Sequence, residues 1–266
     1  MKYSGILQKM RTEYGNPIQY FLDLNNQVIR MNDLIGNELE INYLKKIHCL
    51  HCGKITSKSF GQGYCYPCFS TSPETSPCVL KPELCEAHLG ISRNMEWSEK
   101  YCLQKHIVYL AVSGNLKVGV TRFSQIPTRW IDQGASRAIK FAETPNRFLA
   151  GVIEKELMQF VSDKTNWQKM LKNQVDNSVD LLKEKEEKRD LLPNSLIQYY
   201  CPDNEIIEMY FPVEKYPKKI ESTNFEKVTN IKSVLSGIKG QYLLFENQSV
   251  FNVRTHSGYE VELIFS

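Results

Sequence analysis

The feature that most limits how this chain can fold is a pair of cysteine knuckles. Cys49-Leu50-His51-Cys52-Gly53 and Gly63-Tyr64-Cys65-Tyr66-Pro67-Cys68 each hold two thiols three positions apart, with twelve residues between the pairs. Two C-x-x-C turns present four thiolates that converge tetrahedrally on one Zn²⁺. Gly53 and Gly63 allow the tight turns beneath the metal. A closed four-thiolate shell has no open position, so this zinc is expected to stabilise the fold rather than activate water. His48 and His51 stand beside the knuckle, but four cysteines already suffice.

Seven of the eight cysteines in these 266 residues lie between Cys49 and Cys102. The opening MKYSGILQKMR lacks the hydrophobic region of a signal peptide, and no stretch approaches the apolar length of a membrane span. The expectation is a cytoplasmic protein with no membrane contact, where clustered cysteines mark metal sites more often than disulfides. Cys78, Cys85, His88 and Cys102, with His106 near, form a second set of ligand type. Their spacing matches no compact template, so the set reads either as a second zinc site or as three free thiols and a surface histidine. The intervening segment is rich in proline and serine and needs an anchor to be ordered. Cys201 reads as a buried or free thiol. The net charge of +3 is too small to argue for a polyanion partner, so any nucleic-acid affinity must come from a local patch.

Pattern divides the chain into four segments and an α+β class. Residues 1–47 read as short strands punctuated by turns, and 48–104 as the zinc-binding module. Within 105–192, Ile107–Val112 and Leu116–Val120 flank Ser113-Gly114-Asn115, a hairpin signal. Pro127 suits the first turn of a short helix that carries Arg129 and Trp130. A strand over Ala138–Ala142 follows. Thr144-Pro145 predicts the cap of a helix reaching about Val161, with Phe148, Leu149, Val152, Ile153, Leu157 and Phe160 on one apolar face. Glu154 falls at the edge of that face and Glu156 near its centre, where a carboxylate needs a partner. Leu171, Val175, Val179 and Leu182 predict a helix from Trp167 to Leu192 that ends in a solvated run of mixed charge. Residues 193–266 are β-rich. Their last three runs, Gly240–Phe245, Ser249–Arg254 and Gly258–Ile264, predict a meander that could pair with the N-terminal strands.

At Tyr109, Lys117-Val118-Gly119, Arg129 and Glu154 the sequence resembles the GIY-YIG nuclease superfamily. Ile107-Val108-Tyr109 stands at the first motif, Lys117-Val118-Gly119 at the second, and Ala150–Glu154 is similar to the run that ends in the metal-binding glutamate. Asn166 occupies a position similar to the family's late asparagine. The match covers about residues 105–170. Ile107 stands where the superfamily usually has glycine and Lys117 where it has tyrosine, although some GIY-YIG-like restriction enzymes also place a lysine there. Over a longer span the knuckles, HIVYLAVSGNLKVGVTR, IPTRWIDQGA and DKTNWQKML resemble an uncharacterised bacterial family known only as a domain of unknown function.

The resemblance implies a GIY-YIG-like α/β sandwich with a central antiparallel sheet, and a metal-dependent nuclease acting on DNA or RNA. Glu154 would hold Mg²⁺ or Mn²⁺, a hard ion suited to carboxylate and water. Arg129 would contact a phosphate oxygen, and Tyr109 or Lys117 would take a proton from water. Arg122 and Arg137 would position the nucleic-acid backbone, and Trp130 would stack on a base or pack under its helix. The competing reading is a catalytically inactive zinc-containing module that binds nucleic acid or protein. A purely structural or assembly protein is a third.

Overall fold

The structure is a computed structural model that describes residues 1–266. It divides into two compact units, one formed by residues 1–70 and 209–266, the other by residues 71–208.

The first unit begins with β1 (Lys2–Ile6), β2 (Arg11–Glu13), β3 (Gln19–Leu24), β4 (Gln27–Arg30), β5 (Glu38–His48) and β6 (Ile55–Thr56), followed by the short helix α1 (Tyr66–Thr71). Strands β2, β3 and β4 make a small antiparallel sheet of their own. β5 is the spine of the larger sheet. Leu39 and Ile41 point to the core in alternation with half-exposed neighbours, the period-two pattern of a half-buried strand.

The second unit contains α2 (Met95–Tyr101), β7 (His106–Val112), β8 (Leu116–Arg122), α3 (Thr128–Asp132), β9 (Arg137–Thr144), α4 (Arg147–Leu157), α5 (Trp167–Leu171), α6 (Leu181–Arg189) and β10 (Ile206–Glu208). Its antiparallel sheet runs β10-β9-β7-β8. Every residue of β7 is buried, as expected of a central strand covered on both faces. Val108, Leu110 and Val112 pack with Ala150, Ile153 and Leu157 of α4 in one core. On the other side of the strand, the Tyr109 ring meets Trp130 of α3 edge-on at 5.8 Å.

The chain then returns to the first unit through β11 (Glu221–Thr223), β12 (Asn230–Lys239), β13 (Tyr242–Phe245), β14 (Ser249–Asn252) and β15 (Tyr259–Phe265). The large sheet is ordered β1-β15-β5-β12-β13-β14-β11, with β6 also on β5. Strands from both ends of the chain therefore share one sheet.

Several local expectations give way to tertiary context. The C-terminal meander stops after β13 and β14, because β15 pairs with β5 and β1 instead of β14. A 3₁₀ turn at Arg254–His256 carries the chain off β14. The alternating Tyr259, Val261, Leu263 and Phe265 are buried. The helix expected from Pro145 to Val161 is shorter. Asn146, not Thr144, is its cap, accepting the Leu149 N–H at 3.0 Å, and Leu157 is its last residue. The single helix expected over Trp167–Leu192 is two short ones. Asn173 has φ +54°, which a continuing helix does not allow, and Asp180 caps a fresh start by accepting from Leu182 and Lys183 N–H. Glu156 is half-buried and accepts from Gln159 Nε2 at 3.0 Å, so it sits at the margin of the apolar face rather than at its centre.

Candidate active site and metal centres

The first knuckle follows directly from the end of β5. Cys49 N–H donates to Lys54 O and Gly53 N–H to Cys49 O, closing a tight turn around the first two thiols. The second knuckle is held by reciprocal bonds between Phe60 and Tyr64, and α1 starts there at Tyr66. The ligand atoms of Cys49, Cys52, Cys65 and Cys68 all lie within 4.8 Å of one another. Four sulfurs at that separation form a donor set that zinc takes. His48 is engaged elsewhere, with Nε2 2.9 Å from Glu260 Oε2.

In the second unit Cys78, Cys85 and Cys102 come together within the same limit. They arrive from a 3₁₀ turn, from the residue after the Pro82–Leu84 turn, and from the C-cap of α2. Arg147, the first residue of α4, ties these segments together. Its backbone N–H donates to Cys102 O, and its guanidinium donates to Cys78 O and Tyr101 O at 3.3 and 3.1 Å. The closeness of the three thiols pulls Cys85 towards thiolate and pushes Cys102 the other way. These three sulfurs also suit zinc. His88, expected as the fourth member, is exposed and stacks on Phe148 with centroids 4.4 Å apart, so it stands outside the group. His106, near that set in sequence, is buried, and burial pushes its imidazole down to about 4.

The four residues singled out as a catalytic set come from four elements and act on one another. Tyr109 and Lys117 lie on the hairpin strands β7 and β8, Arg129 on α3 and Glu154 on α4. Tyr109 is fully buried, which pushes its phenol up. The nearby Arg129 charge opposes that shift, and the Tyr109 hydroxyl donates to Gln133 Oε1 at 2.6 Å. Lys117 is 2% exposed. Burial first, then the nearby Arg129 charge, brings its ammonium down to about 7, and it donates to Thr165 Oγ1 at 3.1 Å. Burial lifts Glu154 to about 7, helped by the charges of Asp163 and Glu83 and opposed by Lys117 and Arg129. Glu154 forms no direct ion pair with either cation, so a simple buried salt bridge does not explain the cluster.

The auxiliary positions fare differently. Trp130 is 1% exposed in the core beneath Tyr109, which leaves no face for a base and corrects the stacking role. Arg137 donates to the carbonyls of Asp176 and Val179, holding the loop before α6. Asn166 caps α5 by accepting the Lys169 N–H. Arg122 lies over the Tyr101 ring at 4.6 Å, half-buried. Sequence reading missed Glu83, Asp163, Gln133 and Thr165. The only signal for Glu83 was a glycine inside the amphipathic α4, Gly151, which marks a close backbone approach.

The molecule is thus an α+β protein with two cysteine groups able to hold zinc and one buried polar cluster. Residues 36–261 match the family described as "Protein of unknown function (DUF2797)", and the chain belongs to that family. No curated protein and no solved structure matches it. None of the helices is long and apolar enough to cross a membrane.

Proposed function

We propose that the protein is a metal-dependent nuclease that hydrolyses phosphodiesters of DNA or RNA, built on a GIY-YIG-like unit and stabilised by structural zinc. The observation that carries this reading is that Tyr109, Lys117, Arg129 and Glu154, drawn from a hairpin and two helices, lie near enough for Arg129 and Glu154 to bear on the ionisation of Tyr109 and Lys117. Perturbed acids and bases clustered in this way are a mark of functional sites.

The residues divide the chemistry among them. Lys117, with its pKa brought to about 7, exists in part as the free amine at neutral pH and is the better general base. Tyr109 stays a protonated phenol and serves as a hydrogen-bond donor that positions its neighbours. Arg129 supplies a permanent cation for the charge that develops on the phosphate oxygens. Glu154 has an unpaired carboxylate, with Glu83 and Asp163 near enough to raise its pKa, and such oxygen donors fit Mg²⁺ or Mn²⁺. That ion would polarise the scissile phosphate.

The test is purified protein with Mg²⁺ or Mn²⁺ against single- and double-stranded DNA and structured RNA, beside Glu154→Ala and Arg129→Ala. Each substitution is expected to lower turnover by roughly 10²–10³-fold, the scale of removing one charge-stabilising group. Cleavage that survives both would overturn the reading. Burial of Tyr109 and Lys117 favours a second reading, a module that binds nucleic acid or protein without turnover. Salt-dependent binding with no cleavage would establish it for nucleic acid.

A further inference from the structure

We infer that His106 is the fourth ligand of the metal site formed by Cys78, Cys85 and Cys102, and that His88 is not a ligand. Three thiolates leave a tetrahedral zinc one donor short. A protein side chain that completes the site needs a free lone pair not already used in a hydrogen bond.

His106 meets that condition. It is 1% exposed, and its Nε2 is buried with no hydrogen-bond partner, an orphaned acceptor that a folded protein rarely tolerates without reason. Its other nitrogen, Nδ1, lies 2.6 Å from the carbonyl oxygen of Gln104. A carbonyl only accepts, so Nδ1 carries the ring proton and the neutral ring keeps its lone pair on Nε2. Metal-binding histidines are held in this way, with one nitrogen donating to a carbonyl and the other left for the ion.

The fold also delivers the ring to the right place. His106 opens β7 four residues after Cys102, and Thr144 Oγ1 donates to its carbonyl. Arg147, which binds the Cys102 and Cys78 carbonyls, follows three residues after Thr144. The sulfurs already lie within 4.8 Å of one another and His106 is not in that group, so ligation requires the imidazole to close onto the ion as it binds. His88 is exposed, with its ring occupied by Phe148.

The experiment uses the full chain loaded with Co²⁺ for spectroscopy and with Zn²⁺ for X-ray absorption. In His106→Ala the second equivalent of Co²⁺ is expected to bind at least about tenfold more weakly. The visible bands of that site should change, and added imidazole should restore them. His88→Ala should leave affinity and spectrum unchanged. If His106→Ala does not fold, the zinc-loaded parent protein and His88→Ala decide the matter, since both should show imidazole scattering at one ring per two zinc ions. Loss of that scattering in His88→Ala, its absence from the parent protein, or an unaltered cobalt spectrum in His106→Ala would overturn the inference.

Discussion

Gly151 of α4 lies directly against the backbone of Glu83. A Cβ on Gly151 would overlap the Glu83 nitrogen and stand 2.7 Å from Pro82 Cβ. The loop that carries Cys78 and Cys85 thus rests on the helix one turn before Glu154, and it brings the Glu83 charge to bear on that carboxylate. Gly151→Ala is expected to cost about 1–3 kcal/mol by overpacking, because the obstacle is backbone rather than a mobile side chain. Urea unfolding measures this, and wild-type stability in the variant would refute the close approach. The same substitution should weaken the Cys78/Cys85/Cys102 metal site while sparing the one in the first unit.

Gly119 has a similar place beneath Tyr109. A Cβ there would fall 2.5 Å from the Tyr109 hydroxyl. Gly119→Ala should therefore displace the phenol from Gln133 and destabilise the protein by about 1–3 kcal/mol. Tyr109→Phe, which only deletes the hydroxyl, should cost about 0.5–1.5 kcal/mol, one buried hydrogen bond. A Gly119→Ala variant as stable as wild type, measured by urea unfolding, would show that the phenol does not cross the glycine.

Lys117 and Glu154 give stability opposite slopes on either side of neutrality. Glu154 titrates near 7 when folded against its ordinary 4.5, so between those values the native state holds the extra proton and stability falls as pH rises. Lys117 titrates near 7 when folded against 10.5, so above 7 the unfolded chain holds the extra proton and stability rises with pH. The pair therefore contributes least at about pH 7. Unfolding free energies from acid to alkaline pH should show Glu154→Gln flattening the acid arm and Lys117→Met the alkaline arm. Unchanged slopes in both variants would contradict the buried placement.

Metal analysis should find two zinc ions per chain, one for each cysteine group. Cys49→Ser or Cys68→Ser should remove one and leave the other, and Cys85→Ser should do the converse. Because binding energy at a structural site is folding energy, a strong chelator should lower the stability of the whole chain. Full retention of folding in chelator would speak against structural zinc.

Some of this was written in local sequence. Two C-x-x-C pairs announce their convergence because each pair needs only one tight turn, and the four sulfurs of Cys49, Cys52, Cys65 and Cys68 do meet. The hairpin from His106 to Arg122 was equally legible, since apolar runs around a three-residue turn leave only one register that buries both strands. The α+β class followed from the same periodicities.

Other features depended on contacts between distant segments. β15 abandons its sequence neighbour because its alternating apolar residues find in β5 a longer partner of the same period. Trp130 goes under Tyr109 because a buried strand needs cover on that face, and nothing in IPTRWIDQG distinguishes such a residue from an exposed one. The second cysteine group has no local template, because its spacing is fixed by where α4 and Arg147 hold three separate segments. Sequence by itself determined which residue types were available for metal and acid–base chemistry. Tertiary structure alone decided which of them are desolvated beside one another, and desolvation moves Lys117 down and Glu154 up, each to about 7.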